Sequence, residues 1–85
     1  MTQVSTNIIE LVREIVEPLV EDKESLNLTS IVSDDGVETI EIRVAAEDAG
    51  KVIGRQGRVI KSIRVLARAA VCADNRDVEV ELVED

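Results

Sequence analysis

Apolar side chains recur at Ile8, Leu11, Val12, Ile15, Val16 and Leu19 in the stretch NIIELVREIVEPLVED, three and four residues apart. That spacing gathers them on one face of a helix, predicted over about residues 7–22. Asn7 is placed to cap it, and Pro18, having no N–H, should kink or restart its last turn. The period then changes. Leu26, Leu28 and Val32, followed by Ile40, Ile42 and Val44, alternate with polar residues on either side of SDDG. This predicts a hairpin over about residues 26–45, with the Asp35-Gly36 pair supplying the positive φ of its turn. At the far end Val78, Val80 and Leu82 alternate with Glu79 and Glu81, giving a last strand over about residues 77–83 with an acidic outer face. The intervening AEDAGKVIGRQGRVIKSIRVLARAAVCA is helical in period but broken at Gly54 and Gly57. It reads as two helices joined by GRQG over about residues 47–73.

The resulting order is α-β-β-α-α-β, without internal repeat, low-complexity tract or linker. An α+β fold is expected, a three-stranded sheet packed against three helices, as a single domain over residues 1–85.

Composition narrows the functions open to such a fold. Phe, Tyr and Trp are all absent, so the core must be aliphatic, and the aromatic platforms on which RRM and cold-shock domains stack bases cannot be built. There is no His, and Cys72 is the one cysteine. A Cys/His zinc site, a His-based catalytic triad and an internal disulfide are thereby excluded, and Cys72 reads as a small apolar helix residue. The N-terminal apolar stretch is interrupted by Glu10, Arg13, Glu14 and Glu17, unlike a signal peptide or a membrane span. A cytoplasmic protein with no metal, cofactor or membrane partner is expected.

Charge is distributed very unevenly. The chain carries −8, yet residues 49–73 contain no acid and hold Lys51, Arg55, Arg58, Lys61, Arg64 and Arg68, a window of +6 that leaves −14 for the remainder. With about 100° per residue, Arg58, Lys61, Arg64 and Arg68 fall along one flank of the helix after GRQG, and Val59, Ile63, Leu66, Ala67 and Ala70 form its core stripe. Such a basic stripe is often no more than a solvated face. The glycines argue for more. They permit backbone conformations closed to other residues and let a ligand come close, and the helix that follows presents unpaired N–H groups at its positive end. Arg55 and Arg58 beside that end are unfavourable unless an anion, most simply a phosphate, satisfies amides and arginines together.

The stretch GKVIGRQGRVIKSIR resembles the V-I-G-x-x-G-x-x-I-[KR]-x-[IL] signature of KH domains, and the element order is similar to their type II, bacterial arrangement. The likeness extends over nearly the whole chain to the small single-domain RNA-binding family KhpA. It implies single-stranded RNA held in a groove beside the G-x-x-G loop, in a bacterial RNA chaperone or post-transcriptional regulator linked to control of the cell envelope and cell shape. Carried over by position, Gly54 and Gly57 permit the loop, Arg55 and Gln56 turn toward phosphates, and Lys51, Arg58 and Lys61 flank the path. Val52, Ile53 and Ile60 match the aliphatic positions, as core packing or as base contacts. Arg64 and Arg68 serve as peripheral charge or as partner contacts. The turn ADNRD carries two aspartates that would narrow the path and weaken binding.

Two competing readings remain. The scaffold could act as a dimerisation or protein-interaction module with weak or no RNA binding, through a face containing Val65, Arg68 and Cys72; the resemblance implies a homodimer, a complex with the KH-containing protein KhpB, or both. A nucleotide-hydrolysing enzyme is the poorer alternative, because neither G-x-x-x-x-G-K-[ST] nor G-x-G-x-x-G occurs. No catalytic residue is expected.

Overall fold

The computed structural model describes residues 7–72 and 76–83. Helix α1 spans Ile8–Val16, the hairpin strands β1 and β2 span Asn27–Val32 and Val37–Arg43, helices α2 and α3 span Ala46–Ile53 and Arg58–Cys72, and β3 spans Asp77–Val83. The order α-β-β-α-α-β and the α+β class are those the periodicities predict. The sheet is mixed. Central β2 pairs antiparallel with β1 and parallel with β3, so β1 and β3 are its edges. The parallel pair requires a crossover, which α2 and α3 provide.

Asn7 caps α1, its side chain accepting from the Glu10 N–H at 3.4 Å. The α-helix is shorter than the apolar pattern suggests. It stops at Val16, and Glu17–Leu19 form a 3-10 turn with Pro18 inside. Proline cannot donate the next helical bond, so the chain leaves the helix while keeping Val20 buried. In the hairpin the Gly36 N–H donates to the Ser33 carbonyl at 2.9 Å, with Gly36 at φ 87°.

One face of the sheet carries the core. Ile40 and Ile42 on the central strand, Leu28 on β1 and Val78 and Val80 on β3 meet Ile8, Val12 and Val16 of α1, Val52 of α2 and Ile60, Ile63, Ala67 and Val71 of α3. Val32 does not join them. It is 65 % exposed, because β1 runs beyond the helices toward the hairpin tip and pairs there with Glu38. The core stripe of α3 also differs from the wheel. Leu66 is 51 % exposed, whereas Ile60 and Val71 are buried; the helix is turned about its axis by about 60° relative to the expected stripe.

Candidate nucleic-acid interface

The GRQG junction is a sharp corner between α2 and α3. The Gly54 N–H closes α2 by donating to the Gly50 carbonyl at 2.8 Å, and Gly54 then adopts φ 78°, ψ 173°, a region open essentially to glycine alone. Space imposes the same choice, since a Cβ there would lie 2.8 Å from the Val59 amide nitrogen. Residues Arg55–Gly57 make one 3-10 turn, with Gln56 at φ 58°, ψ 25° and Gly57 at φ 75°. Gln56 is the one non-glycine residue with positive φ among those described. A Cβ at Gly57 would meet nothing nearer than Lys61 Cε at 4.0 Å, so that glycine answers to backbone conformation and not to crowding.

This corner projects cations and donors outward. Arg55, Gln56, Arg58 and Lys61 are exposed, and no acidic residue occupies the first turn of α3. Arg58 Nη2 donates to Gln56 Oε1 at 3.1 Å, which joins the two side chains across the turn. Among the described residues, no carboxylate pairs with Arg55, Arg58 or Lys61. A positive helix end without its usual acidic neighbours is suited to an anion.

Three of the residues singled out around the loop make their contacts within the protein. The Lys51 ammonium is held by Glu21 at 2.5 Å and by Asp48 at 3.2 Å, and both contacts raise its pKa, Glu21 the more strongly. It is a tie between α2 and the segment after α1, not a free cation awaiting phosphate. Val52 is fully buried and Ile60 is 7 % exposed; both pack in the core beneath the corner. Ile53 is half-buried. The expected variable turn at residues 73–77 lies largely outside the described residues, including Asp74.

Asp48, which the sequence did not single out, organises the tie. It is 2 % exposed, accepts from the Asp22 N–H at 3.0 Å and the Glu21 N–H at 3.1 Å, and also receives Lys51. These bonds, led by that from Asp22, hold its carboxyl below the usual aspartate pKa. A buried aspartate in the first turn of a helix would have signalled a structural acid had its burial been legible; in sequence Asp48 looks like its exposed neighbour Glu47.

Farther along α3, Arg68, Cys72 and Val65 are exposed, Val65 by 63 %, and Leu66 joins Val65 to give an apolar patch beside Lys61 and Ser62. Arg64 is elsewhere. It leans toward the sheet, where its Nε donates to the Val80 carbonyl at 3.0 Å.

Comparison with known proteins gives consistent results. A family model described as "KhpA/KhpB, KH domain" matches residues 9–82. The chain is 38 % identical over 74 residues to the RNA-binding protein KhpA of Clostridium perfringens, covering 87 % of this chain and 97 % of the relative. It is 36 % identical over 78 residues to the RNA-binding protein KhpA of Borreliella burgdorferi, covering 92 % and 94 %. Among solved structures, that of an Aquifex aeolicus Era variant bound to GDP and tetrafluoroaluminate aligns with a TM-score of 0.55 at 20 % identity, over 99 % of this chain and 34 % of the Era chain. That likeness is one of fold.

Proposed function

We propose, because this chain belongs to the KhpA/KhpB family of KH domains, that it binds single-stranded RNA through the corner between α2 and α3. The observation that carries the reading is the loop at residues 54–57, in which Gly54, Gln56 and Gly57 all take positive φ, with exposed cations unpaired by carboxylate among the described residues. Such a loop brings backbone and side-chain donors to one convex edge. The phosphates of a short unpaired stretch rest there, against Arg55, Gln56, Arg58 and Lys61 and the N–H groups opening α3. Val52 and Ile60 fix the angle between the two helices from beneath, and Lys51 steadies α2. With no aromatic ring to stack on, binding draws on charge and aliphatic contact and is correspondingly weak. It involves no chemical step. A chaperone or post-transcriptional role in the cytoplasm, linked to cell shape, follows from the family resemblance.

Replacing Arg55 and Gln56 together by Asp tests the site. Fluorescence anisotropy with a labelled single-stranded RNA should show binding lost, while circular dichroism and the melting transition stay near those of the parent. Retained affinity in the folded variant overturns the site.

A second reading is favoured by the exposed pair Val65 and Leu66: self-pairing, or pairing with a KhpB-type protein, across the outer face of α3. Arg68 and Cys72 continue that face. It leaves the loop open, so the two activities are compatible.

A further inference from the structure

The two edges of the sheet are built differently. Edge strand β3 carries the exposed acids Asp77, Glu79 and Glu81, and Arg64 covers its Val80 carbonyl at 3.0 Å. Charges of this kind discourage a further strand from pairing with an edge. β1, the other edge, reads NLTSIV and holds no charge, proline or glycine; its last two side chains, Ile31 and Val32, are 51 % and 65 % exposed. The turn fixes which way its backbone groups point. The Ser33 N–H donates to the Val37 carbonyl at 2.9 Å, and along an antiparallel pair bonded and unbonded positions alternate. Asn27, Thr29 and Ile31 therefore direct their N–H and C=O groups to β2. Leu28, Ser30 and Val32 turn theirs outward, where the sheet supplies no strand.

We propose that β1 is a docking edge for an extended segment of another protein, a short run of β-branched residues with Lys or Arg at both ends, which adds a fourth strand to the sheet. The outward groups of Leu28, Ser30 and Val32 bond its backbone. Because side chains alternate along a strand, Ile31 and Val32 give it apolar neighbours on both faces near the hairpin tip. The basic ends answer the charges that bracket β1, exposed Asp22 and Glu24 before it and exposed Asp34 and Asp35 after it. Lys23 offsets the first pair little, since its ammonium is turned to the Glu17 and Val20 carbonyls at 3.0 and 2.7 Å. A second copy of this chain fits less well. Two β1 strands paired antiparallel about Ser30 would bring Asp34 and Asp35 of each chain beside Glu24 of the other, like charges at both ends. The inference does not depend on RNA binding.

The fluorescein-labelled peptide KKVTVTVKK tests this by anisotropy at physiological ionic strength. Its control, KKVPPTVKK, has the same charge, and its adjacent prolines interrupt pairing in either register. The parent protein should bind the first at least about 10-fold more tightly than the second, the worth of one or two backbone hydrogen bonds. Ser30→Pro removes an outward N–H and no ladder bond, and Ile31→Lys puts on the edge a residue that blocks pairing. Each, with a melting transition near the parent's, should bind KKVTVTVKK about 10-fold more weakly. Added peptide should also slow hydrogen exchange at the Leu28, Ser30 and Val32 amides. Equal affinity for the two peptides overturns the inference by assigning binding to charge alone. Affinity undiminished in either folded variant, or exchange unchanged at those three amides, overturns it as well. A parent dimer that Ile31→Lys dissociates, with no peptide bound, makes a second copy the occupant and likewise overturns it.

Discussion

At the scale of single residues, the two glycines of the corner look equivalent in sequence and are not equivalent in the fold. Gly54 is constrained twice, by a backbone region closed to side chains and by the Val59 amide 2.8 Å from where its Cβ would be; Gly57 is constrained by φ 75° alone. Gly54→Ala should therefore cost about 3 kcal/mol, combining backbone strain with overpacking, and Gly57→Ala about 1 kcal/mol. Urea unfolding of the two variants checks the order, and equal losses would contradict it. The sequence signals a glycine requirement here, and the structure alone says which kind. Gln56, at φ 58°, is the opposite case: nothing in its residue type announces a left-handed conformation, which the turn imposes on it.

At the scale of elements, periodicity specified the helices and strands, because alternation and helical spacing reflect the burial of one face. It failed where burial depends on a neighbour's position. The α3 wheel placed Leu66 in the core and Arg64 on the outer stripe. With the helix packed against α1, α2 and β3, Leu66 faces out and Arg64 comes within reach of β3. Val32 failed similarly, since alternation cannot tell how far the helices extend over a strand. Of the site, the G-x-x-G loop and its basic flank were legible as residue types; the engagement of Lys51 was not, because Glu21 lies thirty positions away. That contact belongs to a junction between elements, where Asp48 ties α2 to the chain leaving α1. Its carboxyl is held below the ordinary value of about 3.9, so the ionised form is favoured by folding. The stabilisation is complete above the unfolded-state value and disappears as pH falls through the lower, folded one. Thermal melts across pH 2–7 should show stability falling at the acid end, and Asp48→Asn should be less stable at neutral pH with a shallower acid limb. An acid limb of unchanged steepness in the variant would assign the effect to other carboxylates.

At the scale of the whole molecule, the charge asymmetry makes RNA binding and self-pairing respond oppositely to salt. RNA approaching the corner meets the +6 window, while the −14 spread over the rest of the chain is partly screened, the Debye length being roughly 10 Å at 0.1 M salt. Contacts to two to four phosphates of a single strand release counterions and give a log–log slope of roughly −1.4 to −2.8, a loss of about 7- to 50-fold between 50 and 200 mM salt. Self-pairing across α3 is a different matter. A two-fold interface sets one surface patch against the same patch of the partner, so the Lys61 and Arg68 cations around the Val65–Leu66 patch meet a second set of the same cations, and two molecules of −8 are brought together. Like-charge repulsion opposes that union, and salt relieves it. Sedimentation of the free protein should therefore show a larger associated fraction at 200 than at 50 mM salt, over the range in which RNA affinity falls, and Val65→Lys should leave a folded monomer at both. A dimer that weakens with salt would mean that opposite charges meet at its interface, placing that interface away from the outer face of α3.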